Sequence, residues 1–544
     1  MKLRQCHGIV WAGLSLLVFG PISTYANVYA TDIHLDGSLT NGWVAPGYPV
    51  RINYILNEPA TGGVVARICA GSNVLRTFTA AGGQPGALAG VNEIFWDGRN
   101  SNGVSVAEGL YAVQISASSL GYADWTNITD DSSAFEVDNP RGLDVNKNTN
   151  SPYYGRVFVG NNQGLQPTGI YKFNADGSPA EDGAFSTGGY AWAGDGLSPW
   201  KFCVSDDDIV YVNDWNLGSR GFVLGFDEII TSNTCIAALG GDNYPTNTVD
   251  LSGPFVTGSG TNAQIWMADA ATTFQSLGIL RWNLMEDGTV APSDPGEIVV
   301  AATNSDLTLA PYDVAVSTNG FIFTIQRVDA LDADDAGSNP TNRVLCFPPE
   351  TNNAPAETAA LWKLGADDTN LANAYGVDIN RQGSLVAVAV RGYGNDPEFF
   401  SGGNVSLFAA GDGHLVKRFG LGEDHQYMDV AWDNAGNLYA LDFTAGVWRA
   451  YSPPGTNQST TVGLARIQAL SQLQAPQLSQ PLLTNGLSFA LHGQSNVTYI
   501  VQVSTDLTNW MDVVTNFDPA PDRIITAPAT TDAQDFYRAV VAQP

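Results

Sequence analysis

Positive charge is what this chain has least of. Its 544 residues hold 24 Lys and Arg against 54 Asp and Glu, a formal net charge of −30. Such a surface repels nucleic acid and anionic membranes, leaving divalent cations, cationic partners and neutral glycans as the fitting ligands. Cysteine and histidine are scarce too, five of each. No CxxC or metal-ligand spacing appears, and His34, His414, His425 and His492 do not group by spacing into a zinc site. Of Cys69, Cys203, Cys235 and Cys346, the favoured disulfide is Cys203 with Cys235, with buried free thiols as the alternative. Convincing amphipathic helices are missing, as are GxSxG, HExxH and phosphate-loop patterns. No carboxylate pair stands out as an acid–base couple.

What is present is turn and strand chemistry. Gly reaches 58 residues and aromatics 10%, a mixture that favours β-structure. Residues 1–26 read as a signal peptide: Lys2 and Arg4, an apolar stretch from Ile9 to Phe19, Pro21, then small residues around Thr24-Tyr25-Ala26. No later stretch is apolar for 18 residues. The mature chain is expected to be secreted or extracellular, or periplasmic, with no transmembrane segment.

Sequences such as PYDVAVSTNGFIFTIQ (311–326) and YMDVAWDNAGNLYALD (427–442) pair two apolar strands across a polar turn. Six copies align, beginning at Pro140, Pro199, Pro254, Pro311, Ala374 and Tyr427, and each is followed by a third strand such as VLCFPPE (344–350). A four-stranded unit recurring at this spacing is a β-propeller blade, and six such units span 139–470. TTVGLARIQA (460–469) is expected to supply the last blade's outer strand. The pattern P-x-G/D-V-A-V-x-x-x-G-x-L-Y-x-x-D resembles the NHL repeat, which implies a six-bladed propeller and leaves its chemistry open.

Residues 27–138 hold IFWDGRNSNGVSVAEGLYAVQISA (94–117), whose W-D-G…N-G…G-x-Y constellation resembles the FlgD-type immunoglobulin-like module. After the linker 471–481, residues 482–544 carry STDLTNW and FYR in a second sandwich, similar to a C-terminal module of exported Verrucomicrobia-type proteins. The expected fold is therefore all-β: a six-bladed β-propeller flanked by two immunoglobulin-like β-sandwich domains.

In a propeller, innermost strands start and second strands end on one face, where function commonly sits. Second positions of the first strands are Arg141, Trp200, Phe255, Tyr312, Tyr375 and Met428; second strands end at Asn161, Asp214, Asp269, Gln326, Ala389 and Asp442. Aromatic faces above amides and carboxylates suit a glycan. Asp214, Asp269, Asp442 and Asn161 alternatively suit Ca²⁺, and a third reading has them bonding backbone amides while the aromatics pack between blades. The sequence thus points to a non-enzymatic binding or cell-envelope interaction protein, with a glycan or protein at that mouth. Its alternatives are a Ca²⁺-dependent hydrolase or lyase acting on a sugar lactone or glycan, and a purely structural exoprotein. His425, beside Glu423 and Asp424, is the histidine best placed for proton transfer. The DADD run at 332–335 reads as a solvated loop.

Overall fold

The computed structural model describes residues 27–541 except 38, 40, 163, 193–197, 216–221, 241–249, 271–275, 327–341, 351–358, 366–367, 372, 393–401, 422–424, 471–475, 480–481, 484–486, 495–496, 519–521 and 528–534. The expected leader and the DADD run lie outside them. Six four-stranded antiparallel sheets form the propeller. Their innermost strands are Pro140–Val145, Phe202–Val204, Leu251–Thr257, Pro311–Val316, Ala374–Ile379 and Tyr427–Trp432. The last three are buried at every position, because a neighbouring blade covers each face. That double burial explains why the sequence shows continuous apolar runs instead of alternation. Trp432, Trp448, Tyr211 and Tyr439 are among the largest fully buried side chains, each contributing on the order of 2 kcal/mol or more by burial.

The recurring polar turn has one cause. In blades four to six the first strand ends in a tight reversal, where Gly320, Gly383 and Gly436 take positive φ. Each N–H returns to the carbonyl three residues back, on Ser317, Asn380 and Asp433. A residue with a Cβ disfavours that conformation.

The ring closes differently from expectation. Thr126–Asn127, just before blade one, pairs with Val447–Ser452 as the outer strand of blade six. The segment expected in that seat belongs to Gly455–Ala469, which pairs antiparallel with Gly109–Tyr122 and parallel with Asn41–Val44. Pro453 and Pro454 precede it, and without N–H groups they cannot found a hairpin ladder. The chain therefore runs on into the N-terminal sandwich. The propeller is an insertion between two strands of that sandwich, and boundaries at 138 and 470 cut one sheet. The C-terminal sandwich in turn packs Leu491, Val497, Tyr499 and Val501 against Trp43 and Ala45 of the first.

The first sandwich seats on the propeller face where innermost strands end. There the Tyr29 ring lies 4.6 Å from that of Tyr154, tilted by 43°, and its hydroxyl lies 3.2 Å from that of Tyr439. Glu58, buried between Tyr122 and Ser452 at this junction, accepts a hydrogen bond from each.

Candidate functional site

The propeller axis has two mouths: a front one where innermost strands begin and a rear one where they end. Between them the channel is filled with charge. Third positions around the ring are Gly142, Lys201, Gly253, Asp313, Gly376 and Asp429, so glycine alternates with a charged residue. The glycines make the room. A Cβ on Gly376 would lie 2.6 Å from Asp429 Oδ1 and 3.0 Å from Lys201 Nζ, and one on Gly142 would meet the Trp200 carbonyl at 2.1 Å. Lys201 Nζ reaches Asp429 at 2.6 Å and Asp313 at 3.5 Å. A second tier pairs Lys147 with Asp144 at 2.9 Å and Asp378 at 3.7 Å.

The four carboxylates also tie blade to blade. Asp144 accepts the Val204 N–H, Asp313 that of Val377, Asp378 that of Trp432 and Asp429 that of Leu143. Burial pushes the Asp429 carboxyl up in pKa; Lys201 opposes this and Asp313 beside it adds to the rise. Burial lowers the Lys147 ammonium, but Asp144 and Asp378 outweigh it and hold the group above its ordinary value. Such a network costs desolvation and repays it in fixed geometry.

At the front mouth the sequence-predicted aromatics do come together. Ring centroids of Trp200 lie 6.3 Å from both Tyr312 and Tyr375, those two are 5.3 Å apart, and Trp215 joins at 4.8 Å from Trp200. Their residual exposures are 1% for Trp200, 4% for Tyr312 and 2% for Tyr375. They form a packed floor, with faces turned onto one another instead of outward. Sheet register corrects one member of this ring. In blade three Leu251 pairs with Asp269, as Pro140 pairs with Asn161 and Tyr427 with Asp442, so its second position is Ser252. Pro254 mimicked the prolines that open other blades, and Phe255 belongs to the rear. Likewise Ala374 pairs with Val390, which displaces Ala389 as the second-strand end.

The second-strand ends are buried and serve their own loops. Asn161 accepts the Asn139 N–H and donates to the Gln166 and Pro167 carbonyls. Asp214 accepts the Tyr190 hydroxyl at 2.5 Å, and Asp269 the Leu277 N–H. Gln326 accepts the Leu309 N–H. Asp442 holds the Thr444 and Ala445 N–H groups with one oxygen, and Arg449 and His425 with the other. His425 is thus tied into a structural ion pair. Arg141, the remaining predicted residue, lies with its guanidinium 5.0 Å over Phe443.

The rear mouth opens into a cavity of about 780 Å³. Phe255 contributes a half-buried aromatic wall, with the buried Trp266 and Trp432 behind the lining, and Gln264, Asn319 and Arg381 stand among its polar groups. Its three cations are already paired: Lys147 as above, Arg281 with Glu297 at 2.5 Å and Glu350 at 2.6 Å, and Arg381 with Asp206 at 2.9 Å. Arg281 also lies 5.0 Å over the Trp266 ring. Burial raises the Asp433 carboxyl at the cavity edge to about 6. The Trp432 indole N–H is buried with no acceptor among the described residues. Sequence reasoning missed this site because its lining comes from the far ends of the innermost strands and the turns after them, whereas candidate residues were sought where those strands begin. The one available signal was Phe255, assigned to the wrong mouth.

Two other expectations resolve. All four described cysteines are free: Cys203 lies on the innermost strand of blade two, and Cys235 flanks its outermost. Three strand spacings separate them, roughly 14 Å, beyond disulfide reach. Asp32, His34 and Glu181 bring potential ligand atoms within 4.8 Å of one another at the sandwich junction. Burial and then Glu181 push the Asp32 carboxyl up to about 8, while Arg156 opposes that rise.

No protein-family model matches the chain, and no curated protein matches it. Among solved structures it is similar to the calcium structure of a Trichoderma reesei family AA12 carbohydrate-active enzyme, at 12% identity over 61% of this chain and 96% of that one, TM-score 0.36. It is also similar to the apo form of the soluble aldose sugar dehydrogenase of Escherichia coli, at 11% identity over 61% and 99%, TM-score 0.37. A glycoside hydrolase matches at 8% identity over 63% and 94%, TM-score 0.22. None is close enough to carry chemistry to this chain.

Proposed function

We propose that the protein is a non-enzymatic binding protein that takes a neutral glycan in the rear cavity. The observation that carries this reading is the pairing of every described cation lining a roomy, aromatic-walled cavity. An anionic ligand would have to break those pairs to bind. A neutral polyol has only to hydrogen-bond to groups already fixed, and to lay its C–H faces on aromatic rings. About 780 Å³ falls within the range of small-ligand sites. Gln264 and Arg381 offer hydrogen-bond donors to sugar hydroxyls. The test is a neutral glycan array on the full chain, followed by calorimetry on the best ligand. Phe255→Ala should cost at least tenfold in affinity. A ligand whose affinity is unmoved by both Phe255→Ala and Arg381→Gln would place the site elsewhere.

A further inference from the structure

The front mouth carries two cations that no described carboxylate neutralises. Most described propeller lysines and arginines reach a carboxylate, among them Arg156, Lys172, Lys201, Arg281, Arg418 and Arg449. Arg141 and Arg391 do not: among the described residues neither has a carboxylate within ion-pair distance. In a chain with more than twice as many acids as bases, that is a conspicuous omission. Both guanidiniums lie over the same ring, Phe443, at 5.0 and 5.6 Å from its centroid. Arg391 is aimed by its neighbours, donating Nε to Gln426 Oε1 at 2.9 Å and Nη1 to the Tyr375 hydroxyl at 3.0 Å. Arg141 has a buried Nε with no acceptor.

We propose that Arg141 and Arg391 form an oxyanion site above the aromatic floor, taking a ligand with a carboxylate or phosphate group. Guanidinium is the group suited to this, being planar, always charged and able to present parallel N–H donors to two oxygens. Burial lowers the pKa of Arg141, and repulsion from Arg391 lowers it further. A bound anion would relieve both and fill the empty hydrogen-bonding capacity of Nε. The site is independent of the rear cavity, uses none of its residues, and stands or falls without it.

The test uses the full chain at constant ionic strength, with sodium glucuronate, inorganic phosphate and chloride titrated separately. Binding is followed by calorimetry and by tryptophan fluorescence, since Trp200 and Trp215 lie in the floor. Saturable binding of glucuronate or phosphate is expected, with a loss of at least tenfold in Arg141→Gln and in Arg391→Lys, and none in Lys417→Gln, whose ammonium pairs with Asp124 away from both mouths. Arg391→Lys keeps the charge but not the fork, and among the described residues the Arg141 guanidinium makes no hydrogen bond whose loss would threaten the fold. Preference for glucuronate assigns a carboxylate ligand, and preference for phosphate a phosphoryl one. No saturable binding of either anion by about 10 mM, or binding unchanged in both variants, overturns the proposal.

Discussion

The two mouths of this propeller are built from the same six strands and share one axis, yet they are opposites. In front, Trp200, Trp215, Tyr312 and Tyr375 pack against one another and close the channel, beneath two arginines that pair with no described carboxylate. Behind, a cavity of about 780 Å³ remains open, and its cations are neutralised by carboxylates. Large side chains at a converging ring meet and become core, whereas the diverging turns behind leave space between them. A ring of aromatics on a propeller axis is therefore as consistent with a plug as with a binding surface.

The largest expected effect lies on the axis that both mouths share. Lys201→Met leaves Asp313 and Asp429 buried without their cation and should cost about 3–5 kcal/mol of stability. Denaturant melts would show it, and the loss should be smaller at pH 5 than at pH 8, where both carboxyls must ionise. A change below about 1 kcal/mol would mean that the backbone N–H groups alone hold those carboxylates. Next comes the plug. Trp200→Ala should cost about 3 kcal/mol or more as a core truncation, and a near-neutral result would mean the front floor is an open surface after all.

A smaller effect concerns pH. Burial raises Glu58 to about 7 and Asp433 to about 6, both on the rear side. Between the ordinary carboxylate range and those values the folded chain holds protons that the unfolded chain has released. Stability contributed by these groups is thus complete at low pH and lost as pH rises from about 4 through about 7. Tm should fall between pH 5 and pH 8, and Glu58→Gln should flatten the slope; a Tm that rises over this window would refute the assignment. Smallest of all, Arg381→Gln breaks a half-exposed ion pair and should move stability by less than about 1 kcal/mol, which makes it the cleanest probe of the rear cavity.

The fold was legible because blades repeat. Apolar strand pairs around a polar turn, recurring six times, reveal strand count and ring size without any contact being known. Register was legible only where the copies agree. Pro254 imitates Pro140 and Pro311 but sits three residues late, and that shift moved Phe255 to the wrong mouth. Closure was not legible, since Thr126–Asn127 is too short to carry a pattern and Gly455–Ala469 suits a sandwich as well as a blade. Burial was the deepest gap. Asp214, Asp269 and Asp442 look like ligands in sequence, and only tertiary structure shows that loop amides, Tyr190 and Arg449 already engage at least one oxygen of each. That no described carboxylate pairs with Arg141 or Arg391 is likewise invisible in the sequence.

The most direct test of the contrast is calorimetry of the best neutral glycan against three full-length proteins: wild type, Phe255→Ala and Trp200→Phe. Affinity should fall at least tenfold in Phe255→Ala and stay within twofold in Trp200→Phe, which keeps the plug aromatic. Loss in Trp200→Phe with retention in Phe255→Ala would return the ligand to the front mouth and contradict the assignment of the rear cavity.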